Sequence, residues 1–260
     1  MTTDLGDAGG FTIVSYDVLD STNEEMKRLA AAGGAGHGTV VQARTQSAGR
    51  GRRGRIWVSE PGNLYCSLFL RRERPLAESA QLSFVTAVAV AEAIEEFLGQ
   101  PGRVSCKWPN DVLIERRKVA GILLETVGGG DSSGDGVIVG VGLNIARCPE
   151  DTAYPATCLA ACGAKAVTVE RVLHAVCRAF APCYTAWLAD GFAPVRAAWL
   201  AKASGLGEDI RVRLGSETLG GVFEGLDADG ALILREGNGN RRQITAGDVY
   251  FDETVLQRVS

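Results

Sequence analysis

The local sequence pattern changes at Gly205, and this change constrains the fold more than any other feature of the chain. Before Gly205, patterns typical of long helices alternate with patterns typical of strands. After it, short strand patterns separated by turn residues follow at 210–214, 218–226, 231–235 and 241–245. Such spacing is typical of a small β-barrel. We therefore predict an α+β main domain at residues 1–204 and a small β-domain at residues 205–260.

The composition narrows the class of protein further. The chain has 260 residues, of which 46% are hydrophobic and 22% charged, a balance typical of globular proteins that bury a large core. Its 27 basic and 31 acidic residues give a net charge of −4. This balance argues against a protein that binds nucleic acid through bulk charge, although a local basic patch remains compatible with it.

The cysteines and histidines bear on metal sites and on location. The chain has seven cysteines without a CxxC pair, and its two histidines are His37 and His174. This set argues against a zinc site and fits thiols kept reduced in the cytosol. The first residues, MTTDLGDAGG, do not form a signal peptide pattern, and every apolar stretch is interrupted before it could span a bilayer. We therefore expect a soluble, cytoplasmic protein with no protein-bound metal and no membrane partner.

Several local signals predict individual elements of the main domain. Ser21 and Glu24 have the spacing of a capping box and predict the start of a helix. A longer helix is predicted at 78–98, where Gly99 ends it, and Thr168 is predicted to cap another that runs to about residue 189. The glycine-rich stretch 128–136 predicts a surface loop. Strand patterns lie at 11–18, 39–46, 63–70, 104–108, 112–115, 119–126 and 137–144.

Residues 49–55 read Gly-Arg-Gly-Arg-Arg-Gly-Arg, and they match the spacing of the dinucleotide-binding motif G-x-G-x-x-G. That motif must open directly into a helix, whereas here Ile56, Trp57 and Val58 predict β structure or a turn, which excludes it. Glycines permit close approach to a ligand, and guanidinium groups pair with phosphate and carboxylate oxygens. The segment therefore predicts a cationic loop that encloses a phosphate, and a solvated charged turn is the alternative.

Two further segments carry unusual residues. In Lys107-Trp108-Pro109-Asn110-Asp111, the Trp-Pro step interrupts β structure, and the following amide and carboxylate could meet a metal–phosphate group or a ribose. An ordinary turn with a buried tryptophan remains the alternative. Lys118 precedes an apolar strand and either extends to solvent or places its charge on a phosphate or carboxylate. Gly140 and Gly142 interrupt a strand, which indicates a bulge or a close approach of a ligand.

Six segments, taken together in chain order, carry a family resemblance. They are LDSTNEE, TQSAGRGRRGRIW, NLYCSLFLR, KWPNDVLI, KVAGILLE and VGVGLNI, and they cover about residues 19–146. In combination they resemble the biotin protein ligases, the enzymes that attach biotin to a carrier lysine of biotin-dependent carboxylases. The resemblance implies a mixed β-sheet catalytic domain backed by helices at 1–204, which binds biotin and ATP, and an SH3-like β-barrel at 205–260.

The activity implied by the resemblance is that of an ATP-dependent biotin–[acetyl-CoA-carboxylase] ligase. Biotin would attack the α-phosphorus of ATP to give biotinyl-5′-AMP and pyrophosphate, and the lysine of a biotin carboxyl carrier protein would then displace AMP. Some relatives carry an N-terminal DNA-binding domain. Here the first matching strand begins near Phe11, so we expect a monofunctional enzyme without a nucleic-acid partner. Both a monomer and a homodimer remain open.

The resemblance also assigns roles to individual residues. Lys118, Arg50 and Arg52 would be catalytic, Mg²⁺ would lie on the phosphates, and the chain would supply no dedicated metal site. The biotin-binding set is Ser21, Thr22, Asn23, Gln46, Arg50, Gly51, Arg52, Lys118, Gly121 and Gly140. The ATP-binding set is Arg52, Arg55, Trp57, Asn110, Asp111, Lys118 and Asn144. Because its like charges repel and its glycines add backbone entropy, we expect the segment 49–55 to be disordered without ligand and ordered when biotin and ATP are both bound.

Two rival functions use the same segments. A lipoate or octanoate ligase or transferase also modifies a carrier lysine, but its acyl pocket would not require this combination of motifs. A catalytically idle biotin-binding module would not require both Lys118 and the arginine-rich segment, residues 49–55. The resemblance is weak over residues 147–166 and in most of the tail, and there it assigns no functional residues.

Overall fold

In the computed structural model of the protein, the described residues are 2–7, 10–128, 135–150, 152, 154–165 and 167–251. Most of the predicted glycine-rich loop and the last part of the predicted β-domain, residues 252–260, lie outside these ranges. Within them, none of the helices combines the length and the apolar character needed to cross a bilayer.

An eight-stranded mixed sheet forms the centre of the main domain. Its order is β1-β2-β3-β4-β8-β7-β6-β5, with β2 and β3 parallel and every other neighbouring pair antiparallel. The sequence did not predict β1. The strands are β1 (Thr2–Asp7), β2 (Thr12–Leu19), β3 (Thr39–Gln46), β4 (Leu64–Arg71), β5 (Val104–Lys107), β6 (Asp111–Ile114), β7 (Arg117–Val127) and β8 (Gly136–Leu143).

Helices cover both faces of this sheet. They are α1 (Thr22–Ala31), α2 (Leu82–Leu98), α3 (Val169–Asp190) and α4 (Phe192–Ala201). Successive side chains of a strand point to opposite faces. In β4, Phe69 accordingly packs with Met26 of α1, while Leu68 and Leu70 join the core formed with α2 and α3. The mixed sheet backed by helices agrees with the predicted fold class.

The helix termini agree only in part with the local signals. Thr168 caps α3 as predicted, since its hydroxyl accepts a hydrogen bond from the Arg171 amide at 3.3 Å. The predicted capping box at Ser21 is wrong, because Ser21 precedes α1 but its side chain makes no capping hydrogen bond. Ser21 instead lines a cavity beside the sheet. Ser21 therefore borders the cavity and does not cap the helix with its side chain.

The tail is all-β, as its short strand patterns predict. The strands are β9 (Asp209–Leu214), β10 (Glu217–Leu226), β11 (Leu232–Arg235), β12 (Arg241–Ile244) and β13 (Asp248–Phe251). They form one antiparallel sheet in the order β12-β11-β10-β9-β13.

The two sheets share a hydrophobic core. Trp199 of α4 lies between Phe84 of α2 and Phe223 of β10, with ring centroids 5.4 and 6.5 Å away. The indole of Trp108 donates a hydrogen bond to the Gly230 carbonyl at 3.0 Å. Because aromatic packing and a buried hydrogen bond join the two parts, the tail is fixed against the main sheet at the level of the Trp-Pro segment.

Candidate functional site

A cavity of about 410 Å³ opens between the middle of the main sheet, the start of α1, the arginine-rich segment and the tail. Every residue that the sequence assigned to biotin or ATP lines it. The set is Ser21, Thr22, Asn23, Gln46, Arg50, Gly51, Arg52, Arg55, Trp57, Asn110, Asp111, Lys118, Gly121, Gly140 and Asn144. The strand and loop pattern thus brings both predicted sets to one place, although they are spread over more than a hundred residues of sequence.

The strand glycines give room to the protein's own side chains. Gly121 of β7 pairs with Gly142 of β8, and the indole of Trp57 lies against both. A Cβ atom would stand 2.6 Å from Trp57 Nε1 at Gly142 and 2.9 Å from Trp57 Cζ3 at Gly121. The Nε1 atom of Trp57 is buried and finds no hydrogen-bond partner among the described residues.

At one end of the cavity, polar groups from α1 and β3 form a hydrogen-bonded network. The side-chain oxygen of Gln46 accepts from the Thr22 amide at 2.8 Å and from the Thr22 hydroxyl at 3.2 Å. The Gln46 amide nitrogen donates to the Ser59 hydroxyl at 2.9 Å. These contacts fix the orientation of the Gln46 amide, which a polar ring bound in an otherwise apolar pocket requires.

Asn23 lies deeper at the same end. Its Oδ1 accepts from the buried Ser67 hydroxyl at 2.6 Å, and its Nδ2 donates to Glu125 at 2.7 Å. A Cβ atom at Gly140 would stand 3.1 Å from Asn23 Cγ. The absent side chain at Gly140 therefore accommodates Asn23.

At the other end, one buried carboxylate holds two ammonium groups. Asp111 Oδ1 lies 2.5 Å from Lys118 Nζ, and its Oδ2 lies 3.3 Å from Lys107 Nζ. Burial raises the pKa of Asp111, but the two ammonium charges outweigh it and keep that pKa below its usual range. Burial lowers the pKa of Lys107, against the attraction of Asp111. The trio carries a net positive charge that an anionic ligand can neutralise.

The two asparagines beside this trio are fixed by backbone groups. Asn110 donates to the Ile122 carbonyl at 2.7 Å, and its Oδ1 accepts from Arg52 at 3.2 Å. Asn144 donates to the Thr157 carbonyl at 3.0 Å. Both amides therefore present a defined orientation to the cavity.

The arginine-rich segment is closed over the cavity by carboxylates from distant parts of the chain. Arg50 forms ion pairs with Glu24 of α1 and with Glu125 of β7. Arg53 and Arg55 both form ion pairs with Asp248 of β13. The sequence did not indicate these carboxylates, which offset part of the segment's like charge and come from tertiary contacts.

Some lining residues were missed by the sequence. Lys107 was noted in its segment without a role, although its ammonium is buried and lies 3.9 Å from the Tyr154 ring centroid. From the tail, Arg213, Asp248, Val249 and Tyr250 also line the cavity. The unusual segment around Lys107 could have indicated that this lysine belongs to the site. By contrast, the strand pattern of the tail does not tell which of its residues reach the main sheet.

The donor set of the cavity does not form an all-protein metal site. Among the described residues, no group of three His, Cys, Asp or Glu side chains could hold a metal ion. Asp111, the carboxylate beside Lys118, is already engaged by two ammonium groups. This set fits a Mg²⁺ ion held mainly by phosphate oxygens and water, as is usual for this ion.

Comparisons with known proteins agree with this geometry. The family model "Biotin/lipoate A/B protein ligase family" matches residues 15–144, and "Biotin protein ligase C terminal domain" matches residues 205–252. The chain is 44% identical over 241 residues to the biotin–[acetyl-CoA-carboxylase] ligase of Paracoccus denitrificans, covering 89% of this chain and 97% of that protein. It is 35% identical to the bifunctional ligase/repressor BirA of Bacillus subtilis, covering 91% of this chain and 73% of that protein.

Among solved structures, the biotin protein ligase of Aquifex aeolicus in complex with biotin and ATP has a TM-score of 0.77 and 30% sequence identity. The match covers 92% of this chain and 97% of that chain. The likeness therefore includes both sheets and not the main sheet alone. On the family models, the identity and the fold together, the chain belongs to the biotin/lipoate A/B protein ligase family and is a biotin protein ligase homologue.

Proposed function

We propose that this protein is an ATP-dependent biotin–protein ligase that modifies a lysine of a biotin carboxyl carrier protein of acetyl-CoA carboxylase. One observation carries the proposal: a single cavity is lined by both the biotin set and the ATP set inferred from the resemblance. The polar network around Gln46 would hold the biotin ring, and the cationic end around Lys118 would hold the phosphates. The ligase of Paracoccus denitrificans, which bears the same activity in its name, supports the assignment.

In the first step, an oxygen of the biotin carboxylate forms a bond to the α-phosphorus of ATP. The bond from that phosphorus to the bridging oxygen breaks, and pyrophosphate leaves with the electron pair. A carboxylate is ionised at neutral pH, so the step needs no general base. Lys118 would hold the carboxylate against the α-phosphate, with Arg50 and Arg52 above them, so that positive charge lies where negative charge develops.

In the second step, the unprotonated amine of the carrier lysine attacks the carbonyl carbon of biotinyl-5′-AMP. An amide forms, AMP leaves with the electron pair of the anhydride bond, and the amine gives up a proton. The arginine-rich segment would keep water from the anhydride until the carrier arrives. Its ion pairs to Glu24, Glu125 and Asp248 support that role, because they hold the segment over the cavity.

Mg²⁺ would enter with ATP and neutralise phosphate charge. Asn110, which lines the cationic end of the cavity, would approach the metal–phosphate group, while Asp111 stays paired with Lys107 and Lys118. Such a reaction uses cellular ATP and an intracellular carboxylase, so we propose a cytoplasmic enzyme.

The test is exchange of labelled pyrophosphate into ATP by the full chain, with biotin, lipoate or octanoate as the acid. We expect exchange with biotin alone, followed by transfer of biotin to the carrier domain of acetyl-CoA carboxylase. A carrier whose acceptor lysine is replaced by arginine should remain unmodified. Exchange driven by lipoate or octanoate would assign the protein to the rival ligases. Biotin binding without exchange would make it an idle binding module.

A further inference from the structure

Glu125 lies on β7, and its carboxylate accepts hydrogen bonds from three side chains of two segments, α1 and the arginine-rich segment. Its Oε2 accepts from Asn23 Nδ2 at 2.7 Å, and its Oε1 accepts from Lys27 Nζ at 2.7 Å. Arg50 Nη2 lies 3.1 and 3.2 Å from the two oxygens. Glu125 does not line the cavity, yet two of the residues that it contacts do. It therefore connects the deep end of the cavity to the segment that closes it.

The contact with Asn23 sets the direction of the Asn23 amide. An amide group offers donors at nitrogen and acceptors at oxygen. Here the buried Ser67 hydroxyl donates to Oδ1, and Glu125 accepts from Nδ2. Turning the amide over would place its oxygen against a carboxylate. A charged acceptor at Glu125 thus leaves one orientation of Asn23, whose side chain also fills the space beside Gly140.

The contact with Arg50 is shared with Glu24. Lys27 and Arg50 each form ion pairs with both carboxylates. Burial raises the pKa of Glu125, but the hydrogen bonds from Lys27 and Asn23 and the charges of Lys27 and Arg50 outweigh it. The pKa of Glu125 therefore lies below its usual range, and the group is ionised at neutral pH. Of the two carboxylates, Glu125 is the one that also contacts Asn23.

We propose that Glu125 is a positioning residue of the ligase reaction: its carboxylate orients the amide of Asn23 at the biotin end and holds Arg50, with the arginine-rich segment, over that end. The inference rests on the proposed function, because biotin and biotinyl-5′-AMP are the ligands concerned. Its consequence is a link between two properties, the affinity for biotin and the retention of the adenylate. A segment closed over the anhydride excludes water and slows its loss.

The test compares Glu125→Gln with Glu24→Gln in the full chain. Both changes remove a negative charge from Arg50 and Lys27, whereas only the first removes the charged acceptor of Asn23. For Glu125→Gln we expect biotin affinity, measured by calorimetry, to fall about tenfold, as for loss of a charge-assisted hydrogen bond. We also expect faster release of biotin and AMP from the preformed adenylate complex without carrier. Glu24→Gln should speed that release and leave biotin affinity within about twofold.

A second comparison asks whether Glu125 acts through Arg50. In an Arg50→Ala background, Glu125→Gln should speed adenylate release less than it does in the wild-type background, but it should still weaken biotin binding through Asn23. Unchanged biotin affinity and release in Glu125→Gln would overturn the proposal, as would an equal effect on release with and without Arg50. If Glu125→Gln does not fold, Glu125→Asp is used in its place, because the shorter side chain moves the carboxylate away from Asn23 and Arg50 while keeping the negative charge. Wild-type behaviour of that variant in both assays would also overturn the proposal.

The wild type separates this inference from the proposed function. A wild-type chain that neither binds biotin nor exchanges pyrophosphate would overturn both. A wild type that does so, with a Glu125→Gln variant indistinguishable from it, would overturn the role of Glu125 alone.

Discussion

The indole of Trp57 lies so close to Gly142 that a Cβ atom at that glycine would stand 2.6 Å from Trp57 Nε1. Gly142 is paired across the β7–β8 ladder with Gly121, which receives the same indole. Because Gly121 and Gly142 are paired on neighbouring strands and have no side chains, the ring of Trp57 lies directly against both backbones. A glycine inside a strand often marks a place where a ligand or another part of the chain comes close. Here it is the protein's own Trp57 that comes close.

The first prediction compares Gly142→Ala with Gly140→Ala. The methyl group at position 142 would displace Trp57, so we expect the KM for ATP to rise about tenfold with biotin affinity nearly unchanged. The methyl group at position 140 would meet Asn23 and should weaken biotin binding instead. Pyrophosphate exchange gives the KM for ATP, and calorimetry gives biotin affinity. If both variants changed the KM for ATP and the biotin affinity in the same way, the assignment of one end of the cavity to ATP and the other to biotin would be contradicted.

The second prediction concerns Lys118. Lys118→Ala should lower biotin-dependent pyrophosphate exchange by about ten- to a hundredfold or more, since a charge-assisted contact contributes roughly 1.5–3 kcal/mol and more if it strengthens in the transition state. Lys118→Arg should not restore it fully, because a planar fork and a point charge need different geometry. Lys107 would still pair with Asp111, so the fold should persist. Arg117→Ala, at the half-buried neighbouring residue, is the control. Near-normal exchange in Lys118→Ala would remove this residue from the mechanism.

The third prediction tests the closure of the arginine-rich segment by Asp248. Asp248 is the carboxylate that Arg53 and Arg55 share, so Asp248→Asn should free both. We expect trypsin to cleave after these arginines several-fold faster than in the wild type, and biotin with ATP to slow cleavage in both proteins. Asp209→Asn, at an exposed position of β9, serves as control. Cleavage of Asp248→Asn at the wild-type rate would show that this ion pair does not hold the segment.

The fourth prediction tests whether the two sheets unfold together. Trp199 is 1% exposed and packs against rings on both sides of the predicted domain boundary. Trp199→Ala should lower the free energy of unfolding by about 3–5 kcal/mol. Because the core is shared, calorimetry should give a single transition in the wild type and in the variant. Leu206→Ala, at a partly exposed position, should change the stability by less than about 0.5 kcal/mol. Two separate transitions in the wild type would show that residues 1–204 and 205–260 are independent.

The fifth prediction is a pH dependence at the start of α1. The side-chain hydrogen bond from Arg28 holds the pKa of Asp20 at about 2, below the ordinary 3.8. A lowered pKa stabilises the folded state above the unfolded pKa, and this contribution is lost as the pH falls through the folded pKa. The pair is half-exposed, so we expect no more than about 1 kcal/mol. The wild type should exceed Arg28→Gln in unfolding free energy at neutral pH, and the difference should shrink between about pH 4 and pH 2. A difference that does not depend on pH would exclude this cause.

The sequence predicted most of the elements, although not β1 or β13, and most of the residues of the candidate site, but not the interactions between them. The motifs of the sequence alone assign the site residues from Ser21 to Asn144, and all of these residues line the cavity. The start of α1 was predicted correctly, yet the role given to the Ser21 side chain was wrong. A capping box is inferred from spacing alone, and spacing does not show that Ser21 lies beside a cavity.

The sequence by itself determined most of the helices and strands and their order, the all-β character of the tail and the residue types that meet an anion, because periodicity, turn residues and side-chain chemistry are local properties. Tertiary structure decided which charges meet. Glu125 lies far along the chain from Arg50, and the order of the strands in the main sheet brings them together. Asp248 belongs to the second sheet, and the packing of the two sheets brings it to Arg55. The tertiary structure also decided that Trp57 packs against Gly121 and Gly142, since a glycine in a strand shows only that space is needed at that position. The filling of that space depends on which distant segment folds over the strand.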